Sequence, residues 1–285
     1  PKSVTSIGEG AFQGASDLSS VLIEISRFGT AGFPTTPGKQ SFLESPSTTN
    51  VIAYKLFSGT GELSGATADL SGATIAIIEG YTSIGPSAFS NASSLTSIII
   101  PKSVTSIGYY AFMNTTSLVL ITIPASVTSI GINAFQYATS LTSINVDQSN
   151  QYYKDIDGVL FDYSGATLIQ YPVGNNTRTN YEIPASVTEI GGGAFTSATS
   201  LRTITIPKGV TEIGGGAFSS ATSLTSITIP KGVTEIGGGA FAYTTNLTSV
   251  IFEAGSQLES IEVYAFYKAS SLTSITIPEG VKTIE

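Results

Sequence analysis

The chain has 285 residues, 41% hydrophobic and 11% charged, with a formal net charge of −8. That length supports a sizeable core, while the acidity and the lack of any Lys/Arg cluster exclude a phosphate-binding footprint for nucleic acid. With no Cys and no His, disulfides, zinc knuckles and both Ser-His-Asp and Cys-His catalysis are excluded.

The first segment reads PKSVTSIGEGAF, Pro1–Phe12. It has the apolar skeleton of a unit that recurs later. Residues 26–80 are less regular. The stretch FGTAGFPTTPGKQSFLESPSTTN is a loop by composition. Val51–Phe57 and Thr74–Ile78 read as strands that pair as a hairpin.

A strict period begins at YTSIGPSAF. Ala-Phe pairs end at Phe89, Phe112 and Phe135, then at Phe195, Phe218, Phe241 and Phe266; Phe12 ends an earlier one. A full unit is IPKGVTEIGGGAFSSATSLTSIT, Ile206–Thr228. Self-similarity at this length marks a stacked repeat, because one unit cannot bury its own apolar face. In each unit L-x-x-I-x-I alternates like a short half-buried strand. Pro230 ends that strand because it lacks a ladder donor. Val233 and Ile236 form a second brief strand or turn, and Gly237–Gly239 allow a tight corner. Phe241 then plugs the core and a Ser/Thr-rich segment returns the chain. Residues 145–182 interrupt the period. There Val159–Phe161 and Thr167–Tyr171 flank a turn and read as a β-hairpin.

The three copies of VTEIGGGAF invite a phosphate-loop reading. A phosphate loop places its glycines before a helix N-terminus, with Lys-Ser/Thr or a downstream acid. Here Ala-Phe and a Ser/Thr-rich return follow, and other units carry GYYAF or GINAF. The glycines are read as a structural corner.

The pattern L-x-x-I-x-I-P-x-x-V-x-x-I-G-x-x-A-F resembles the BspA-like leucine-rich repeat family, over about three quarters of the chain. The resemblance implies a secreted or cell-surface protein of adhesion that is not an enzyme. It also covers the segment DGVLFDYSGATLIQYP as a modified unit. The expected fold is therefore a β-rich, curved leucine-rich-repeat solenoid of 23-residue units with hairpin insertions. It forms one domain over residues 1–285, irregular at 26–80 and 145–182, and is expected to be part of a longer array. The alternative function is a structural segment of a surface fibre that assembles by stacking.

Strand alternation points the residues between the apolar ones outward. These are Ser97 and Ile99, Leu120 and Thr122, Ser143 and Asn145, Thr203 and Thr205, Ser226 and Thr228, and Ser249 and Ile251. Ser20 with Leu22 and Ser274 with Thr276 extend the set. Repeat proteins bind partners on such extended faces, although Ser and Thr are also plain β-tolerant fillers. Ser and Thr make up roughly a quarter of the chain, well above ordinary usage. A hydroxyl surface suits a protein or glycan partner on a cell or matrix surface. Head-to-tail self-association is the other partner expectation.

Glu189, Glu212 and Glu235 should stack as a ladder, with Lys208 and Lys231 as compensating neighbours. Asp155, Asp157 and Asp162 lack the spacing of a calcium loop. No metal and no cofactor is expected. Asn91, Asn114, Asn175 and Asn246 open N-x-S/T sequons, which matter only where secreted proteins are glycosylated. Tyr109, Tyr110, Tyr137, Tyr152, Tyr153, Tyr163, Tyr171, Tyr243, Tyr264 and Tyr267 are read as covering the edge of the core more than as contact residues. No apolar run approaches the about 20 residues of a membrane span.

Overall fold

A computed structural model describes residues 20–24, 50–70 and 73–285. The readings placed on Pro1–Phe12 and on the loop that begins at Phe28 lie outside these residues, as do the side chains of Ser20 and Leu22.

The chain winds as a β-solenoid with a spacing of about 23 residues. Its first strands are β1 (Ser20–Glu24), β2 (Asn50–Leu63) and, after the short helix α1 (Ala66–Asp69), β3 (Ile75–Ile84). There follow β4 (Ser97–Ile99), β5 (Ser106–Ile107), β6 (Leu120–Ile123), β7 (Ser129–Ile130) and β8 (Ser143–Val146). The interruption holds β9 (Tyr153–Ile156), β10 (Val159–Asp162), β11 (Thr167–Gln170) and β12 (Asn180–Glu182). The repeat then resumes with β13 (Glu189–Ile190), β14 (Thr203–Thr205), β15 (Glu212–Ile213), β16 (Ser226–Ile229) and β17 (Glu235–Ile236). It continues through β18 (Ser249–Phe252), β19 (Ser260–Ile261) and β20 (Thr283–Ile284).

Each unit supplies one longer and one two-residue strand, and each kind stacks in parallel on its counterpart. Thus Ile213 faces Ile190 and Ile236, and Ile227 faces Val250. Parallel pairing follows from the repeat itself: every turn runs in the same direction, and the return segment serves as the crossover.

The expected hairpin between Val51–Phe57 and Thr74–Ile78 does not form. β2 and β3 run parallel, with Tyr54 opposite Ile75 and Phe57 opposite Ile78. Helix α1 carries the chain across between them. A hairpin needs a short reversing turn, and the spacing of these strands is that of an ordinary solenoid turn. The second hairpin does form. Phe161 pairs antiparallel with Leu168, and β9 adds to it with Phe161 opposite Lys154. Asp162 closes its turn: Thr167 N–H donates to Oδ1 at 2.7 Å and Ser164 donates to Oδ2. Burial opposes ionisation of Asp162, but the hydrogen bonds from Ser164, Thr167 and Ala166 outweigh it and hold its pKa below the ordinary value.

The core is a column of aromatic rings. Phe89, Phe112 and Phe135 stack with centroids 5.4 and 5.6 Å apart. Past the interruption Tyr171, Phe195, Phe218, Phe241 and Phe266 stack at 5.1–5.3 Å. Aliphatic side chains of both strands pack around the rings in two clusters, one on each side of the interruption.

The corners have a ladder of their own. Within each stack the Phe N–H of one turn donates to the Ala carbonyl of the next: Phe112 to Ala134, Phe195 to Ala217, Phe218 to Ala240, all at 2.7 Å. The three glycines play different parts. A Cβ on Gly214 or Gly237, at the first position, would lie 2.6 or 2.5 Å from a backbone nitrogen of the preceding turn. The third position has positive φ in every described Ala-Phe corner, whether it holds Gly216 at 64°, Tyr110 at 56° or Asn133 at 58°. The middle position needs neither: Gly192 has room for a Cβ at 3.4 Å from Gly215 O, and Tyr109 and Ile132 occupy it in earlier turns.

Candidate functional site

The longer strands bring the outward positions to one face. Isoleucine alternation fixes this orientation. In β16, Ile227 and Ile229 are buried while Ser226 and Thr228 are exposed. The same pattern exposes Thr203 and Thr205 on β14, and Leu120 and Thr122 on β6. Ile99 and Ile251 are both 52% exposed. Asn145 is exposed, whereas Ser97, Ser143 and Ser249 are half-buried. Parallel register arranges them in columns: Leu120 beside Ser143, Thr122 beside Asn145, Thr228 beside Ile251.

The face is divided. One part runs over β4, β6 and β8, the other over β12, β14, β16 and β18, with the hairpin insertion between. Ile99, Val119 and Leu120 give the first part an apolar patch, Val119 being 47% exposed. The second part is mostly hydroxyl, with Ile251 near its end. Side chains bond along it, as where Thr203 Oγ1 donates to Asn180 Oδ1 at 2.7 Å.

The rung that supplies Asn180 was not among the expected outward pairs. Asn180 stands opposite Thr203 and Glu182 opposite Thr205. Its signal is Tyr-Glu-Ile-Pro at 181–184, matching the strand ends before Pro124, Pro207 and Pro230. The departure of the preceding hairpin from the period hid it.

The glutamate ladder lies on the other sheet. Glu212 sits between Glu189 and Glu235 in register. Burial and the carboxylates of Glu189 and Glu235 push its pKa up. The lysines do not compensate it as expected: among the described residues the ion pair is Lys282 Nζ to Glu259 Oε2, at 2.9 Å. Lys208 and Lys231 stand before the second strand, at exposed positions, where water solvates them better than a partly shielded carboxylate can.

The acidic residues of the insertion serve its backbone. Asp155 Oδ1 accepts from Val146 N–H at 2.8 Å, and Asp162 closes the hairpin turn. Among the described residues, no group of three or more acidic side chains converges as metal ligands. Most tyrosines read as cover are exposed instead: Tyr109 55%, Tyr152 53%, Tyr163 52%, Tyr264 65% and Tyr267 43%. They occupy corner and turn positions whose inward neighbour is already Phe, so the column leaves them no space. Tyr171 is fully buried in place of a Phe, and Tyr110 and Tyr153 are half-buried. Asn91 and Asn114 take positive φ, and Asn114 Nδ2 donates to Asn91 Oδ1 at 2.8 Å.

Parallel rungs, an aromatic column and one exposed strand face define a leucine-rich repeat solenoid. The chain belongs to the BspA type leucine-rich repeat family, whose sequence model matches residues 1–69, 67–178 and 167–285 in six copies. It is similar to a leucine-rich cell surface protein from Faecalibacterium prausnitzii, at 26% identity and a TM-score of 0.60, over 96% of this chain and 76% of that one. A leucine-rich repeat protein from Eubacterium ventriosum shares the fold at 23% identity and a TM-score of 0.53, over 81% of this chain and 88% of that one. No curated protein sequence matches the chain. No helix among the described residues is long and apolar enough to cross a membrane.

Proposed function

We propose that the protein is a non-enzymatic adhesion or ligand-binding module, outside the cell or at its surface, that engages a protein or glycan through its strand face. The observation that carries this reading is the pair of exposed columns at Thr203, Ser226 and at Thr205, Thr228, Ile251. They offer donors and acceptors on a fixed parallel spacing, with an apolar contact at one end. Such a face costs little conformational entropy on binding, because short hydroxyl side chains have little freedom to lose. The description of the Faecalibacterium neighbour as a cell surface protein supports the location.

The test is a double substitution, Thr205→Lys with Thr228→Lys. Both residues are exposed, so the fold should survive, as judged by an unchanged melting temperature. Capture of surface proteins or of arrayed glycans by the native chain should be lost. Capture that persists in the variant refutes the assignment of this face. The stacking alternative makes a different forecast: self-association in sedimentation, insensitive to the double substitution.

A further inference from the structure

The interruption leaves a seam between the two stacks. On the other described corners that are followed by a further corner, three N–H groups donate to the next turn. Tyr110, Phe112 and Asn114 donate to Ile132, Ala134 and Gln136, and Gly193, Phe195 and Ser197 donate to Gly215, Ala217 and Ser219. At the turn of Asn133, Phe135 and Tyr137 this ladder stops. None of these three N–H groups has a partner among the described residues. The next aromatic, Tyr171, passes its own N–H onward to Ala194 O at 2.8 Å.

A cavity of about 260 Å³ lies at this break. Its apolar wall is Ile130, Ile132 and Ile169. Some polar groups around it lack protein partners. Asn133 Oδ1 lies beneath the lining, packed against Gly193, buried and without a donor. Gln170, only 5% exposed, spends its Nε2 on Tyr171 O and Ala194 O, and its Oε1 receives nothing from the described residues. The Glu189 carboxylate also lines the cavity, accepting one hydrogen bond from Thr167 Oγ1 at 3.2 Å. Buried polar groups left unpaired are costly and call for a partner.

The composition of the wall narrows the choice. An anion is opposed by Glu189 and the Gln170 amide oxygen. A bare cation has no use for the free N–H groups of Asn133 and Phe135. A purely apolar molecule would leave all of these unpaired. Waters, each with a share of about 30 Å³, fill the space when it is empty and are what a ligand must displace. What fits is a small ring with hydroxyls that both donate and accept, and an apolar face to lie on isoleucine. We propose that the seam cavity binds one pyranose ring, the terminal unit of a glycan. This site is separate from the strand face and does not depend on it.

The opening is kept by Gly191 and Gly192. Gly192 is the useful one, because the fold does not require it. Its counterpart one corner earlier is Ile132, and a Cβ there meets nothing closer than 3.4 Å. Gly192→Ile should therefore fold normally and fill the mouth of the cavity.

The experiment titrates the methyl glycosides of glucose, galactose, mannose and N-acetylglucosamine into the full chain, read by saturation-transfer NMR and calorimetry. At least one should bind saturably, with a dissociation constant on the order of millimolar. Gly192→Ile should weaken it at least tenfold, and Glu189→Gln severalfold, with melting temperatures unchanged. The Thr205→Lys, Thr228→Lys variant should bind the glycoside as the native chain does, which separates this site from the strand face. Absence of saturable binding by all four glycosides overturns the proposal, as does binding that Gly192→Ile leaves intact. A disaccharide ending in the preferred ring should bind at least as well as the methyl glycoside. Its exclusion would overturn the glycan end as the source of the ring.

Discussion

Replacing Phe218 by alanine tests the central feature of the fold. Phe218 is fully buried, with Phe195 at 5.2 Å on one side and Phe241 at 5.1 Å on the other, the rings within 14° and 10° of parallel. Loss of a buried Phe side chain costs about 3–5 kcal/mol. Each aromatic pair adds about 0.5–1.5 kcal/mol beyond burial, so a ring with two stacking partners belongs in the upper part of that range. Phe135 supplies the internal control. It is equally buried but stacks on Phe112 alone, at 5.6 Å, because the seam ends the column there. Phe135→Ala should cost less than Phe218→Ala, by about one pair, ~1 kcal/mol. Urea melts followed by far-UV circular dichroism and tyrosine fluorescence measure both; the chain has 13 Tyr and no Trp. An unchanged m-value shows that the comparison is one of stability. A loss below about 1 kcal/mol for Phe218→Ala would refute its burial in the column. A loss for Phe135→Ala equal to or above that for Phe218→Ala would refute the role of stacking across turns.

Glu212→Gln should raise stability at neutral pH by less than about 1 kcal/mol, by removing a carboxylate from between two others. The native pKa of Glu212 is raised, so its ionisation destabilises: the gain should vanish below the unfolded-state pKa, grow as pH rises through the folded value, and shrink in high salt. A gain that persists at acid pH would point to packing and not charge. Gly214→Ala should destabilise by at least about 1 kcal/mol, because its Cβ would meet Gly192 N at 2.6 Å, whereas Gly192→Ala should stay within about 0.5 kcal/mol of the native chain. Thermal melts that rank the two substitutions the other way would refute the different parts assigned to the glycines.

The repeat was legible because its determinants are local and recur. Ile227 and Ile229 alternate across a strand, Pro230 stops it, and Phe218 and Phe241 keep their place in each unit. The hairpin at 159–170 was legible for the same reason: two apolar runs flank a turn that Asp162 closes. What failed was nonlocal. Tyr54 and Ile75 pair through a crossover whose direction no short pattern encodes. Asn180 and Glu182 were hidden because the insertion shifts the count of residues between prolines. The seam was invisible, since a missing hydrogen bond at Phe135 leaves no mark on the residues around it. The second Gly of GGG was misread with its neighbours, because sequence alone does not separate a residue required by space from one merely permitted.

That separation bears on function. Among the described residues, twelve non-glycine residues take positive φ, nearly all at two fixed positions of the corner, and Tyr110, Tyr243 and Lys268 are among them. A left-handed conformation costs a non-glycine residue roughly 1–2 kcal/mol, so these positions persist only because the turn above and the turn below over-determine them. The corner N–H ladder and the aromatic column supply that constraint, and both are set by backbone and by inward side chains. Residues that face out therefore answer to almost no folding requirement. Thr205, Thr228 and Ile251 are as compatible with the strand as Ser or Asn would be, and Gly192 as compatible with its corner as Ile132 is with the one before. The same independence that lets one scaffold carry many surfaces removes the partner's identity from the folding code. The surface positions where the chain departs from what packing asks are then the informative ones. The corner of Asn133, Phe135 and Tyr137, whose N–H groups pass nothing onward where the neighbouring corners do, is such a departure, whereas the bare glycine at Gly192 recurs at Gly215 and Gly238 and is special only by its place at the seam.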